Sequence, residues 1–222
     1  MSRLKAYLKS FSKPFLNKGL QFYYSKPRKY SYKGIHVMVD PAVFPPQLTL
    51  STKILLDFIS ELNLKNKTLL ELGCGSGIIS LFARKKGAHV TATDINDKAL
   101  NNLREASKNN DLKVEVIHSD LFEKISERSF DFIIINPPYY PKDPKNIKEQ
   151  AWFCGKDFDY FKQLFSQLPH FISEENKTFI ILSEDCDLQR ISEIAKENRI
   201  SLNEVQRITK FGETNFIYST NR

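Results

Sequence analysis

The sequence predicts an α/β protein with a mostly parallel sheet, covered by helices on both faces and finished by an antiparallel strand pair. Three observations predict it. From residue 68 onward, short apolar runs alternate with amphipathic segments of helical length. The first apolar run ends in a glycine-rich turn. The last two strand-like runs are joined by only the short turn Thr209–Gly212, too little chain for a parallel crossover.

The elements follow in chain order. Residues 4–24 mix cations with aromatics, and Pro14 and Gly19 break any single long helix. Residues 30–39 predict a hairpin bending at Gly34. Pro41, Pro45 and Pro46 forbid a helix, so the chain is expected to cross the surface in extended form there. Ser51 or Thr52 is the expected cap of a helix whose Ile54, Leu55, Phe58, Ile59 and Leu62 repeat at helical spacing. TLLELG is then the first sheet strand, and ISLFARKKG a helix stopped by Gly87. HVTATDI is the second strand, followed by a helix capped by Asn96 or Asp97. KVEVIHSD, FDFIIINP and TFIILSE are three more strands. The helix DYFKQLFSQL, running up to Pro169, and the helix LQRISEIAKENR flank the last of these. ISLNEVQRI and TNFIYST close the chain. No internal repeat or low-complexity tract appears.

Length and composition exclude several classes. The chain has 222 residues, 41% hydrophobic and 27% charged, which suits one domain with a short appendage and neither a disordered nor a membrane-spanning protein. Three widely spaced cysteines, Cys74, Cys154 and Cys186, and four histidines offer no zinc-like spacing. Reduced thiols in a cytoplasmic protein are the expectation, with no metal. The net charge of +7 is uneven. Residues 1–39 carry nine Lys or Arg and no acid, so residues 40–222 hold the other 24 basic residues against 26 acidic ones. The expected organisation is a basic, aromatic N-terminal extension over 1–39 and a nearly neutral body over 40–222.

The chemistry lies at the carboxyl ends of the strands, where parallel α/β sheets bind ligands. The first strand ends in Glu71, Gly73, Gly75 and Gly77. Glycines at spacing two let a ligand approach the backbone closely and present N–H groups at a helix start. A dinucleotide fingerprint needs glycine where Ile78 stands, and the Glu71 carboxylate suits a cationic ligand better than a pyrophosphate. A plain strand–helix turn is the competing reading. Asp94 ends the second strand, where an acid can accept from both hydroxyls of a ribose. Asp120 ends the third, where it can accept from an adenine amine or merely form a turn. Together these describe an adenosine ligand with a cationic amino-acid end.

The fourth strand ends in Asn136-Pro137-Pro138-Tyr139. Two prolines fix φ and remove two N–H donors, leaving carbonyls on a rigid elbow. The Asn136 side-chain oxygen and the Pro137 carbonyl can then accept from one planar –NH2, with Tyr139 as a stacking face. Such a clamp suits amides and nucleobase amines. No strong base is needed, because the proton turns acidic only as the C–N bond forms.

These residues resemble the class I S-adenosylmethionine-dependent methyltransferases over about residues 40–222, through ELGCGSG, the TDI strand end, HSDLF and NPPY. The resemblance implies a Rossmann-like seven-stranded sheet and S-adenosyl-L-methionine as cofactor. It places the methionine part at Glu71, Gly73, Gly75 and Gly77, the ribose at Asp94 and Ile95, and the adenine at Asp120 and Leu121. Thr52 and Asn136 complete the implied cofactor set, and Asn136, Pro137, Pro138 and Tyr139 the catalytic one. Within this group the chain is most similar to the short HemK-type enzymes that methylate glutamine in release factors. Their aromatic-Pro stretch is resembled by Val43-Phe44-Pro45-Pro46, and their Ala-Trp segment by Ala151-Trp152-Phe153-Cys154-Gly155. The stretch from Val43 to Thr52 is about two residues longer than theirs, and Cys154 replaces a glycine.

Three functions are compatible with this. One is methylation of an exocyclic amine in RNA, favoured by basic residues interleaved with Tyr7, Phe11, Phe15, Phe22, Tyr23, Tyr24, Tyr30 and Tyr32, the composition of a single-strand RNA surface. The same aromatics can instead pack a helix and hairpin over the cleft. The second is methylation of a glutamine amide in a release factor or another ribosome-associated protein. The third is a cofactor-binding RNA or assembly factor with little turnover.

Overall fold

The computed structural model describes residues 25–126 and 128–221, so the expected basic, aromatic run over 4–24 lies outside the described residues. A two-stranded hairpin comes first, β1 (Arg28–Tyr32) and β2 (Ile35–Val39), turning through Lys33 and Gly34. The central sheet uses β3 (Thr68–Leu72), β4 (His89–Asp94), β5 (Glu115–His118), β6 (Phe132–Ile135), β7 (Lys177–Ser183), β8 (Ser201–Lys210) and β9 (Glu213–Asn221). Its order is β5-β4-β3-β6-β7-β9-β8. β5, β4, β3, β6 and β7 run parallel, while β9 is antiparallel to both β7 and β8. The expected class I sheet and its terminal hairpin are therefore present.

Strand period decides the two faces. Leu69, Ile134, Phe179 and Ile181 point to one side and Leu70, Leu72, Ile133, Ile135, Ile180 and Leu182 to the other, all buried. On the first face pack α1 (Leu50–Glu61), α2 (Ile78–Lys85), α3 (Asp97–Asn109) and the β1–β2 hairpin. On the second pack α4 (Asp159–Gln167) and α5 (Leu188–Glu197). Apolar residues on both faces are what a parallel sheet between helix layers requires.

Several local expectations change. The hairpin of residues 28–39 lies against α2 and α3 rather than over the strand ends. Tyr32 packs edge-on against Phe82 at 5.0 Å and donates its hydroxyl to Asp57 Oδ1 at 2.9 Å. Tyr30 is likewise half-buried against the core. Two of the eight aromatics expected to stack on RNA are therefore structural. The proline-rich segment after β2 folds into two tight turns, closed by Val43 N to Asp40 O and Leu48 N to Pro45 O. Val43, Pro45 and Pro46 are buried, so this strap is not an extended surface crossing. Thr49, not Ser51 or Thr52, occupies the N-cap of α1, and both of the latter are buried inside the first turn. The 3₁₀ turn Leu168–His170 absorbs Pro169 after α4. Asn96 caps α3 as expected, accepting from Lys98 N at 3.0 Å. No described helix is long and apolar enough to cross a membrane.

The β8–β9 turn carries an evident cost. Phe211 and Gly212 form a two-residue loop with φ of 53° and 77°, and Phe211 is 96% exposed. Such turns favour Asn or Asp before Gly, because a bulky side chain at positive φ is strained by about 1–2 kcal/mol. Phe211→Asn is expected to raise stability by about 1 kcal/mol, read as a higher urea midpoint at unchanged slope.

Candidate active site

The sheet's order reverses between β3 and β6, since the chain first builds outward through β4 and β5 and then crosses back. A cavity of about 320 Å³ opens there, at the carboxyl ends of the parallel strands. Thr52, Glu71, Gly73, Gly75, Asp94, Ile95, Asp120, Leu121, Asn136, Pro137, Pro138 and Tyr139 all border it. Gly77 does not. Its φ is +74°, and a Cβ there would stand 2.6 Å from Leu103 Cδ1. This glycine lets the start of α2 pack against α3. Gly77→Ala is expected to cost on the order of 2–3 kcal/mol of stability, measured by thermal unfolding, through overpacking and backbone strain together.

The glycine loop is anchored to the neighbouring strand. Cys74 N donates to Thr93 O at 2.8 Å, and Gly75 N to Asp94 Oδ2 at 2.8 Å. Asp94 Oδ1 accepts from Asn96 N, also at 2.8 Å, so backbone amides steer both carboxylate oxygens. Burial raises the Asp94 carboxyl above its usual range, and the amides of Asn96 and Gly75 oppose that. Glu71 is 3% exposed and accepts from Ser80 Oγ. Desolvation pushes its carboxyl up to about 8 despite that bond. Leu121 turns away from Asp120 at φ 45°, with its carbonyl held by Ser119 Oγ at 2.9 Å.

Beyond β6, Asn136 is half-buried on the cavity wall, and no described side chain or backbone group hydrogen-bonds to its carboxamide. Tyr139 is buried, with its ring 4.9 Å from that of Tyr140. Burial, reinforced by Tyr140, Cys186 and Glu213, holds the Tyr139 phenol far above its usual range. A flap then runs over 140–155 and is tied at its base. Tyr140 N donates to Trp152 O at 3.1 Å, Cys154 N to Tyr140 O at 3.0 Å and Gly155 N to Lys142 O at 3.1 Å. Trp152 reaches across to Phe44 of the strap, with ring centroids 4.6 Å apart.

The cavity wall carries five carboxyl groups, Glu71, Asp94, Asp120, Asp143 and Asp159, and no Lys, Arg or His among the described residues. Burial pushes the Cys154 thiol up to about 11 and the Cys74 thiol well above its usual range, so both stay neutral. The site therefore suits a cationic ligand and offers no thiolate. Tyr160 and Gln163 of α4 also border it, and sequence reasoning missed them. Phe161, Leu164 and Phe165 define the buried stripe of α4, and Tyr160 and Gln163, three positions apart, share a face outside it.

Comparison with known proteins agrees with this architecture. A family model described as the methyltransferase small domain matches residues 34–153. A Methanocaldococcus jannaschii protein assigned as a protein N5-glutamine methyltransferase is 33% identical over 157 residues, covering 68% of this chain and 77% of that one. The ribosomal RNA small subunit methyltransferase C of Haemophilus influenzae is 41% identical over 103 residues, 45% of this chain but only 30% of that protein. Among solved structures, the Thermus thermophilus 16S rRNA N2 G1207 methyltransferase in complex with AdoMet and guanosine superposes with a TM-score of 0.60. It is 17% identical and covers 87% of this chain and 50% of that one. The family match spans more than half of the sequence and contains the glycine loop, Asp94, Asp120 and Asn136 through Tyr139, so the chain belongs to the methyltransferase small domain family.

Proposed function

We propose that this methyltransferase uses S-adenosyl-L-methionine to methylate a planar nitrogen presented at Asn136-Pro137-Pro138-Tyr139. The observation that carries the reading is a cavity whose described lining has five carboxyl groups, no Lys, Arg or His, and at one end a carboxamide with no hydrogen-bond partner among the described residues. Glu71 and the amide of Gly73 would hold the amino-acid end of the cofactor, with Gly75 leaving room for it to approach the backbone, Asp94 and Ile95 the ribose, and Asp120 and Leu121 the adenine, with Thr52 beside them. When bound, the cofactor supplies an electrophilic methyl group on a sulfonium and leaves as S-adenosylhomocysteine.

The chain's own residues do the rest. Asn136 Oδ1 and the Pro137 carbonyl accept from the two N–H bonds of the acceptor, which turns its lone pair toward the methyl group. Pro138 keeps the elbow rigid. Tyr139 covers the acceptor and excludes water, and its raised phenol stays a neutral donor. Methyl transfer from the sulfonium to the nitrogen would need no side-chain base, because the nitrogen's proton would become acidic only as the C–N bond forms and would then pass to solvent.

The preferred acceptor is a glutamine side-chain amide of a release-factor-like protein. The support is the 33% identity that runs over two thirds of the chain. A second reading, the exocyclic amine of an RNA base, draws support from the flap. Lys142, Lys145 and Lys148 are exposed there, while the flap's acids Asp143 and Glu149 are engaged by backbone amides of Lys156 and Lys145. Both readings place the enzyme with the cytoplasmic translation machinery. The test is transfer of labelled methyl groups into an extract lacking the endogenous enzyme. Label released by protease and resistant to ribonuclease supports the glutamine reading, and the converse supports RNA. Cofactor binding with no transfer would leave only a binding or assembly role.

A further inference from the structure

The strap of residues 40–44 is bonded to the same strand end that carries Asp94. Asn96 N donates to Asp94 Oδ1, and Asn96 Nδ2 donates to Ala42 O at 2.8 Å. Ala42 N in turn donates to Asp40 Oδ1 at 2.8 Å, and Lys98 Nζ lies 3.8 Å from the same carboxylate oxygen. Two residues beyond Ala42, Phe44 covers the glycine loop: a Cβ on Gly75 would lie 3.9 Å from Phe44 Cβ. The Phe44 ring also meets Trp152 of the flap. Phe44 and Trp152 both border the cavity, so their contact roofs it between two segments 108 positions apart in the chain (44 to 152).

We propose that Asn96 is a positioning residue that couples occupancy of the Asp94 end of the cavity to closure of the Phe44–Trp152 roof, so that the acceptor path is formed only on the cofactor-loaded enzyme. A ligand held by Asp94 and covered by Phe44 favours the arrangement in which Asp94, Asn96 and Ala42 are in register. The Asn96 amide makes the only hydrogen bond among the described residues from the β4 end to the strap's backbone. Without it, the strap is held to this end only by its packing and the Lys98–Asp40 pair, so open arrangements gain population while the cofactor still binds. The roof then stops reporting on the cofactor, and the acceptor meets a wider and wetter site.

The inference rests on the reading of the cavity as an S-adenosylmethionine site, and the test separates the two. Trp152 is the single tryptophan of the chain, so intrinsic fluorescence reports on the roof alone. Acrylamide quenching of the full chain is measured with and without S-adenosylhomocysteine, whose binding is followed independently by calorimetry. In the wild type, the ligand is expected to lower the quenching constant of Trp152 about fivefold, the population shift that one hydrogen bond can carry. Asn96→Ser keeps a cap oxygen for Lys98 N and the backbone donor to Asp94 but cannot reach Ala42 O. It is expected to bind S-adenosylhomocysteine within about threefold of the wild type and to lose the protection of Trp152, a binding change smaller than one lost direct contact brings. Phe44→Leu, which leaves the Asn96 tether intact, is expected to lose it too. Full protection in the serine variant, or none in a wild type that binds the ligand, overturns the coupling. Absence of calorimetric binding to the wild type overturns the cofactor reading itself, and the coupling with it.

Discussion

Asn136→Ala is expected to lower the single-turnover rate of methyl transfer by about 10³-fold while cofactor affinity changes by less than about tenfold. The expectation follows from what surrounds the residue. The cavity wall contains no Lys, Arg or His among the described residues, and its thiols and the Tyr139 phenol are all held neutral. Asn136 Oδ1 is one of the pair of acceptors, with the Pro137 carbonyl, that together orient the nitrogen's lone pair, so its loss leaves one N–H bond unheld. Loss of a preorganised acceptor in a desolvated site removes about 3–4 kcal/mol from the barrier's stabilisation. Asn136→Asp tests the same point from the other side. It restores an acceptor oxygen but adds a sixth carboxyl to the wall, so it is expected to recover part of the rate only. The measurements are quench-flow transfer at saturating S-adenosylmethionine and calorimetry of cofactor binding. An alanine variant with a wild-type rate would remove the clamp from the mechanism, whichever acceptor the enzyme uses.

The parts of this site that the sequence makes legible are those fixed by a strand end. Glu71, Asp94, Asp120 and Asn136 each follow an apolar run that can only be a buried strand, and parallel strands deliver their carboxyl ends to one edge. Position along the chain therefore becomes position in space with little further information. What is not legible depends on the paths of loops. The contact of Phe44 with Trp152 joins two segments with no pattern in common, and nothing local places the strap's prolines in buried turns instead of on the surface. Gly77 shows the same limit from the other direction. Its spacing matches that of Gly73 and Gly75, yet Leu103 of a helix that follows later sets its role. Asn96 was legible as a helix cap through its oxygen; the partner of its amide nitrogen is 54 residues earlier in the chain. The basic N-terminal charge, similarly, does not lie across the cleft as far as residues 28–39 are concerned, because Tyr32 anchors that hairpin to Asp57 and Phe82.

Cofactor binding is expected to tighten about 50-fold between pH 6 and pH 8 and to level off about twofold tighter above that, with release of close to one proton at the acid end. Glu71 is the cause. In the empty site, desolvation keeps its carboxyl protonated up to about 8. A cationic ligand favours the carboxylate, so below that value binding must expel a proton and loses about tenfold in affinity per unit of falling pH. The stability of the unliganded protein runs the opposite way. The folded chain keeps the Glu71 proton to about 8, whereas the unfolded chain releases it near the ordinary 4.5. Between these values the folded state binds the extra proton. Stability contributed by this group is therefore full below 4.5 and is lost as pH rises through the window. At about 1.4 kcal/mol per unit, the total is on the order of 5 kcal/mol. Glu71→Gln separates the two effects. The amide keeps an acceptor for Ser80 Oγ and carries no charge, so the variant is expected to unfold at higher denaturant than the wild type at pH 8. It is also expected to bind S-adenosylmethionine about 100-fold more weakly there, with no pH dependence between 6 and 8. Calorimetry in buffers of different ionisation enthalpy counts the released proton directly. A wild-type affinity that is flat across that range would show that Glu71 keeps its proton when the ligand is bound and faces it only as a neutral hydrogen-bonding group.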